Sequence, residues 1–438
     1  MPAPASAAAD PGRTVVGRDI GAEEHVVEHD GRDPAVPGAP VPEPPTVRGA
    51  TALPREIGVL VGSAFAIAIG FGLVAPVLPA FARSFDVGVT AAAAVISVFA
   101  FSRLVFAPLS GTVVGRFGEL RVFVAGLAVV AVTTAGLAFA TAYWQLIALR
   151  LVAGVGSTMF TISAVSLLVR LSPPHLRGRA TSLWATGFLL GNIAGPLLGG
   201  TLAAIDVRAP FLIYAALLVL VIVVGGPLLR RPEGPVDEAP PPRTRFRDAV
   251  RHRAYRASLV GNFANGWAVF GVRIALVPLV VVEALGREDA FGGIALSVFA
   301  AGNAATLLLA GRLADRSGRR PPLIAGLAVS GASTAVLGWV LDPWAFLALS
   351  LVAGLGSGLV NPPLNAAVAD VIGERARGGS VLAGFQMAAD LGAIAGPLVA
   401  GALAEVWGYG PAFAVTGVLS LVAALVWWRA PETLPSRS

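Results

Sequence analysis

Four charged side chains lie deep inside otherwise apolar stretches of this sequence: Arg103, Arg150, Arg273 and Asp390. A charge at the centre of a bilayer costs about 2.5–3.5 kcal/mol on insertion scales, so a residue kept there has a use. The use is either an ion pair that glues helices together or a site that handles protons or charged cargo. Arg does not deprotonate in proteins. None of the four His falls in an apolar stretch; His175 and His252 lie between them. Asp390 is therefore the one centrally placed group that can titrate, and it is the candidate proton-coupling acid. Three embedded Arg against one Asp favour an anionic or zwitterionic substrate by direct attraction.

Polar neighbours recur at helical spacing. At about 100° per residue, Gly154, Ser157 and Thr161 share a stripe with Arg150. Arg273 shares a face with Asn262 and, more loosely, Asn265, while Asn361 and Asn365 are i,i+4, as are Gln386 and Asp390. With Arg103 these residues are expected to line a central cavity. The competing reading is that each amide bridges two helices, worth about 1 kcal/mol. Other chemistry is missing. There is no Cys, and the 32 basic residues are all Arg, so no Walker loop with its Lys exists and ATP-driven transport by this chain is out. No metal-ligand spacing and no Ser/His/Asp set appears in an apolar stretch, so neither metal nor cofactor is expected.

The elements that must position these residues follow from composition. Of 438 residues, 55% are hydrophobic and only 13% charged, about half the charge of a soluble domain. The chain reads as an integral membrane protein. Crossing about 30 Å of hydrocarbon takes roughly 20 helical residues, and twelve apolar runs of that size occur: 57–79, 91–113, 121–141, 144–168, 180–203, 209–229, 257–282, 291–311, 322–341, 344–370, 379–404 and 410–428. They are too long and too continuously apolar for barrel strands. Residues 1–56 are polar and Pro-rich and read as a disordered N-terminal tail; 230–256, rich in Pro and Arg, as a linker; and 429–438 as a C-terminal tail. The expected organisation is thus a six-helix bundle at 57–229 and a second at 257–428.

The net charge of +6 comes from Arg concentrated in alternate loops. This is the positive-inside distribution rather than a nucleic-acid surface. Arg116, Arg121, Arg170, Arg177, Arg179, Arg312, Arg316, Arg319, Arg320, Arg375 and Arg377 fall on one side with the linker, against Arg83, Arg208 and Arg287 on the other. Both termini and the linker are therefore expected in the cytoplasm, with the lipid bilayer as the chain's surroundings.

The two bundles repeat each other at an offset near 200 residues. Residues 151–157 read LVAGVGS and 351–357 read LVAGLGS; residues 191–203 read GNIAGPLLGGTLA and 392–404 read GAIAGPLVAGALA. Facing repeats place a substrate site between them near the midplane. Missing side chains at Gly191, Gly195, Gly199 and Gly200 let helices approach, and Pro196 removes a backbone donor. The copy is Gly396, Pro397 and Gly401. Asn361-Pro362-Pro363 is expected to break the tenth run.

Residues 311–320 read GRLADRSGRR, which resembles the signature loop G-x-L-A-D-R-x-G-R-R of the major facilitator superfamily. Gly191, Gly195, Pro196, Gly199 and Gly200 are similar to the antiporter motif of its twelve-span drug:proton antiporters. Arg150 with Gly154 and Gly156 resembles the R-x-x-Q-G-x-G motif of span four. The resemblance covers about residues 57–428. It implies an all-α membrane protein of twelve transmembrane helices in two pseudo-symmetric halves, a monomer in a bacterial cytoplasmic membrane, and no enzyme activity. It makes Gly111, Arg116, Gly118, Gly311, Asp315, Arg316, Gly318, Arg319 and Arg320 gating-loop residues. Three positions depart from the pattern: Gly115 stands where the first loop has Asp, Ala153 where span four has Gln, and Ser182 where the span-five motif opens with Gly. The gate then leans on Asp315, with Glu119 as a partial substitute. The implied function is proton-coupled efflux of a small amphipathic compound or drug. Proton-coupled import of a metabolite and a transport-inactive sensor or scaffold are the alternatives.

Overall fold

The computed structural model describes residues 53–173, 176–229, 246–373 and 379–434. Residues 1–52 of the expected tail, 230–245 of the expected linker, His175, Arg375, Arg377 and the last four residues lie outside the described residues. Every regular element among the described residues is a helix. The helices join into runs: α1 Arg55–Arg83, α2 Val89–Phe117, α3 Glu119–Ala138, α4 Tyr143–Leu171, α5 Arg177–Ala203, α6 Ala209–Leu228, α7 Arg253–Glu283, α8 Asp289–Ser317, α9 Arg320–Leu337, α10 Pro343–Ile372, α11 Gly379–Trp407 and α12 Tyr409–Trp428. Ten of these are long and apolar enough to cross a membrane. The other two are α5, which opens on Arg177 and Arg179, and α9, which has 18 residues and opens on Arg320, Pro321 and Pro322.

Local departures from the α-helix have visible causes. In α10 a turn at Leu359 and Val360 separates two helical pieces. The second piece starts at Asn361, with Pro362 and Pro363 in its first turn, where no intrahelical donor is needed. α7 carries a π-helical stretch, Gly266–Arg273, and α6 a shorter one, Val221–Gly225. The end of the expected linker is helical: a short helix, Phe246–Arg251, precedes α7. Tyr255 in the first turns of α7 is buried, donates to the Val381 carbonyl at 2.7 Å and meets Phe246 edge-on. Arg253 and Arg256 stay exposed on the other face, which is why an apolar-run reading starts this helix late.

Lipid tails give helices no hydrophobic reason to associate, so close approach does the work. The glycines of α5 make that approach to α1. A Cβ on Gly195 would stand 2.6 Å from the Ile69 carbonyl oxygen and 2.7 Å from Gly72 Cα; one on Gly191 would stand 2.6 Å from Ala68 Cβ. Gly199 is pressed against the Leu73 backbone in the same way. The second half repeats the seam, with Gly392 and Gly396 of α11 against Phe263 and Trp267 of α7.

The next glycine in each motif turns to the other half. Gly200 of α5 packs on Ala290 and Gly293 of α8, and Gly401 of α11 packs on Thr90 and Ala93 of α2. Reciprocal hydrogen bonds follow the same two-fold relation: Ser97 donates to the Ile394 carbonyl at 2.7 Å, and Ser297 to the Ile193 carbonyl at 2.9 Å. Beyond them Arg83 pairs with Glu283 at 2.8 Å, Tyr409 donates to Glu283 at 2.6 Å, and Glu405 accepts from the amide and hydroxyl of Thr90 at 3.0 and 2.5 Å. All described hydrogen bonds between the halves lie at this end, the end away from Arg55 and Trp428. At the opposite, termini-bearing end Gly111 and Gly311 meet nothing within 4 Å. Among the described residues, the hydrogen bonds between the halves are gathered at one end, and Gly111 and Gly311 at the other have open space around them.

At the termini end the chain after α12 folds back onto the second half. The Glu432 carboxylate accepts from the amides of Arg319 (2.7 Å), Arg320 (3.1 Å), Thr433 (2.9 Å) and Leu434 (3.1 Å). Thr433 donates to Asp370 at 2.8 Å, and the Arg320 guanidinium reaches the Trp428 carbonyl. Partial burial raises the Glu432 pKa, but the four backbone donors, which favour the ionised form, outweigh it and leave the pKa below the usual Glu value.

Two expectations follow. Gly195→Ala forces backbone against backbone and is expected to cost about 1–3 kcal/mol, whereas Gly111→Ala, in open space, leaves stability unchanged or slightly raised; thermal melting of the two purified variants separates them. Because the Glu432 pKa is depressed on folding, the clasp is fully formed above the unfolded Glu value and is lost as pH falls through the folded one. Hydrogen exchange at the Arg319 and Arg320 amides, corrected for intrinsic pH dependence, is expected to lose protection on acidification. In Glu432→Gln it is expected to be fast throughout.

Candidate functional site

Arg103 and Asp390 stand on opposite halves, on α2 and α11, two helices that pack together across the seam. Each is partly buried. The two are the opposite charges of facing helices, and Gln386 lies one turn before Asp390 on α11. No described ion pair joins Arg103 to Asp390, so the attraction operates without contact. Arg103 Nη1 instead donates to Ser157 of α4 at 2.8 Å, and its Cζ lies 5.9 Å from the Phe99 ring centroid. The carboxylate and the cation are thus held on separate halves.

The repeat supplies a residue that sequence reasoning missed. Asn303 of α8 donates to Ser357 of α10 at 3.1 Å, the bond that Arg103 and Ser157 make in the first half. The signal was the offset of 200 positions, which puts Asn303 opposite Arg103 and Ser357 opposite Ser157.

The other expected cavity residues divide. Asn265 Nδ2 donates to Asn361 Oδ1 at 3.3 Å and ties α7 to the break in α10. Asn262 is buried and gives its amide to the Phe385 carbonyl at 2.7 Å, so it fastens α7 to α11 just before Gln386. Asn365 is exposed and bonds back to the Asn361 carbonyl at 2.9 Å. Thr161 likewise bonds within its own helix, to the Ser157 carbonyl.

Arg150 and Arg273 are not brought to Asp390. Arg150 is only 6% exposed, its Cζ lies 4.0 Å from the Phe99 ring centroid, and its charge acts on Tyr214 of α6. Arg273 is 4% exposed and stacks on Phe299 at 3.9 Å. Both guanidiniums lie inside their own halves. Counting at 100° per residue puts Arg273 on the Asn262 face, but the π-helical stretch between them changes the angle per residue.

The loop motif takes the same shape twice. Gly118 and Gly318 have φ of +83° and +95°, a backbone region that side chains other than Gly rarely enter. In the second copy Arg319 reaches Asp315 at 3.0 Å and Asp370 at 3.1 Å. In the first copy Arg170 pairs with Glu119 at 2.7 Å, and Ser166 donates to Glu119 at 3.2 Å. Positions 119 and 170 correspond to 319 and 370, so the same ion pair is built with its charges exchanged. Asp315 is mostly exposed, as are Arg116 and Arg316. Among the described residues no group of three or more His, Asp or Glu is placed to hold a metal ion.

The chain matches the family model described as Major Facilitator Superfamily over residues 60–286 and again over 258–438. It is 29% identical over 397 residues to the tetracycline resistance protein, class C, of Escherichia coli, covering 86% of this chain and 98% of that protein. It is 26% identical over 367 residues to the multi-drug resistance efflux pump PmrA of Streptococcus pneumoniae, covering 81% of this chain and 90% of that one. A solved structure of a bacterial homolog to the human lysosomal transporter Spinster, in an inward-facing and unoccupied conformation, superposes with a TM-score of 0.72 at 14% identity, over 85% of this chain and 96% of that chain. With helices throughout, a repeated half and the signature loop in place, the chain belongs to the major facilitator superfamily: a multi-pass membrane transporter, not an enzyme.

Proposed function

We propose that this chain exports a small amphipathic compound in exchange for protons, by alternating access between the two halves. The observation that carries the reading is that a cation and a carboxylate, Arg103 and Asp390, sit partly buried on two helices of opposite halves that pack together, with the described hydrogen bonds between the halves gathered at one end. The family's efflux relatives and the glycine motif of α5 support export. The Arg distribution supports placing the termini-bearing, open end in the cytoplasm, with the protein acting as a monomer in a bacterial cytoplasmic membrane.

The geometry gives the exchange its sign. An ionised Asp390 draws Arg103, and with it α2, toward α11. In a medium of low dielectric this attraction is far stronger than in water. Its effect is to close the termini end. Protonation of Asp390 removes the pull and lets that end open. With the cytoplasmic end open, Asp390 releases its proton and substrate enters between the halves. The charge pair then favours closure, the outer seal parts, and substrate leaves. A proton taken up outside cancels the pull and returns the transporter inward. One compound leaves for protons entering, and Gly111 and Gly311, free in the present conformation, become the close-approach points of the closed one.

The experiment is accumulation of a fluorescent dye and of tetracycline in cells expressing the protein, with and without a protonophore. Wild type is expected to lower accumulation only while the proton gradient stands. Asp390→Asn and Arg103→Ala are each expected to cut gradient-driven export by roughly tenfold or more, and the double variant to lose no more than either single one, since the two groups act as one unit. Higher accumulation in wild-type cells would reverse the direction to import. Full gradient-driven export by Asp390→Asn would remove this carboxylate from the coupling path.

A further inference from the structure

The transport reading gives no role to the stretch that leads into α7. The short helix Phe246–Arg251 is docked on the second half. Its Ala249 is fully buried, and its Phe246 ring meets Tyr255 edge-on, where Gly384 of α11 leaves room for it. The other side of this helix carries Arg247 and Arg251, one turn apart and exposed. Arg253 and Arg256, at i,i+3 in the first turns of α7, are exposed as well, because Ala254 and Tyr255 between them take the buried side. None of these four Arg side chains enters a described hydrogen bond or ion pair.

The surrounding acids do not answer them. Asp248 is the one acid in residues 246–256 and is itself exposed, so four cations stand against one anion. Glu119, Asp315, Asp370 and Glu432, acids of the same end, are already engaged, the first by Arg170 and the others by the side chain or backbone of Arg319. The chain has another run of four Arg, within 312–320, but there Arg319 and Arg320 are committed to Asp370, Asp315 and the Trp428 carbonyl. At 247–256 all four guanidiniums remain available.

Their depth names the partner. α7 has 31 residues, a length of about 46 Å at 1.5 Å per residue, against about 30 Å of hydrocarbon. Its apolar run begins at residue 257, so the turns that carry Arg253 and Arg256 stand at headgroup level, with the Phe246 ring, 42% exposed, as an apolar edge beside them. A guanidinium offers forked donors that fit a phosphate, and a basic cluster directly before a membrane span is what anionic headgroups neutralise. We propose that the surface of Arg247, Arg251, Arg253 and Arg256 binds the phosphate headgroup of an anionic phospholipid, in the leaflet at the termini-bearing end. The lipid neutralises the cluster and holds the short helix and the start of α7 against α11, the helix that carries Asp390. The site is independent of transport direction and of proton coupling.

The test uses the purified full chain in an uncharged detergent and involves no transport. Spin-labelled phosphatidylglycerol is titrated against it, with phosphatidylcholine, glycerol 3-phosphate and poly-glutamate as competitors. Saturable binding that phosphatidylcholine does not displace is expected, weakened roughly fivefold by each Arg→Gln change at the four positions and abolished when all four are changed. Arg121→Gln/Arg177→Gln/Arg179→Gln, exposed at the same end, is expected to keep it. In nanodiscs, the amides of 246–256 are expected to exchange more slowly with phosphatidylglycerol than with phosphatidylcholine. Equal affinity for the two lipids overturns the proposal, as does a preference that survives the fourfold change or is lost equally in the control. Displacement by glycerol 3-phosphate would assign the site to a soluble phosphate, and displacement by poly-glutamate to an acidic protein; either overturns the lipid. If the fourfold variant does not fold, the single variants and the wild-type exchange comparison decide.

Discussion

Inside a bilayer two apolar helices gain nothing from water by touching, so whatever holds them must come from contact at very short range. In this protein that contact is concentrated where α5 crosses α1 and where α11 crosses α7. Gly195 faces Gly72 and Gly396 faces Trp267 at separations with no room for a methyl group. Each crossing locks its two helices together along a face with no room for added side chains. Asp390 rides on α11, two residues before Gly392 and six before Gly396, and Arg103 rides on α2, tied to α4 through Ser157.

The two bodies are copies in backbone and opposites in charge. Arg103 corresponds to Asn303, and both bond to the equivalent serine. Glu119–Arg170 corresponds to Arg319–Asp370, an ion pair turned around. Each half stacks a buried guanidinium on the equivalent phenylalanine, but from α4 in one and from α7 in the other. A perfect repeat would put like charges at like places and leave nothing across the interface to attract or release. Exchanging residues at equivalent points, on a scaffold that stays two-fold, puts a carboxylate, Asp390, on one half and a cation, Arg103, on the other; on the proposed reading these are the titrating acid and the charge that answers it.

Hydropathy made most of this architecture legible. Twelve apolar runs, the break before Asn361 and the glycine spacing of α5 were readable because each depends on local composition or on backbone rules. Which side of a helix a polar residue occupies was less readable. Arg150 and Ser157 share a stripe, yet Arg150 lies on Phe99 near Tyr214, while Ser157 meets Arg103. Long side chains swing over more than the width of a stripe. Arg273 was harder still, because a fixed angle per residue does not carry through the π-helical turns of Gly266–Arg273. The start of α7 was hidden for a different reason: exposed Arg253 and Arg256 mask the buried Ala254 and Tyr255 in any averaged window.

The polar contacts in the seam between the halves are weak ones, laid over the glycine approaches of Gly200 and Gly401. The Arg83 and Glu283 side chains remain 37% and 30% exposed, and ion pairs in such settings are worth about 0–1 kcal/mol. Ser97 and Ser297 each contribute one hydrogen bond to a carbonyl, a net gain of about 0.5–1.5 kcal/mol apiece. Parting these contacts lets water or lipid headgroups take over the freed polar groups, so the loss is partly recovered. Parting α1 from α5 would instead open a gap along a glycine face that nothing fills. The seam between the halves also holds close glycine approaches, Gly200 on Gly293 and Gly401 on Thr90, so the polar bonds are its cheap part and a rocking motion has to slide or part these helix contacts as well.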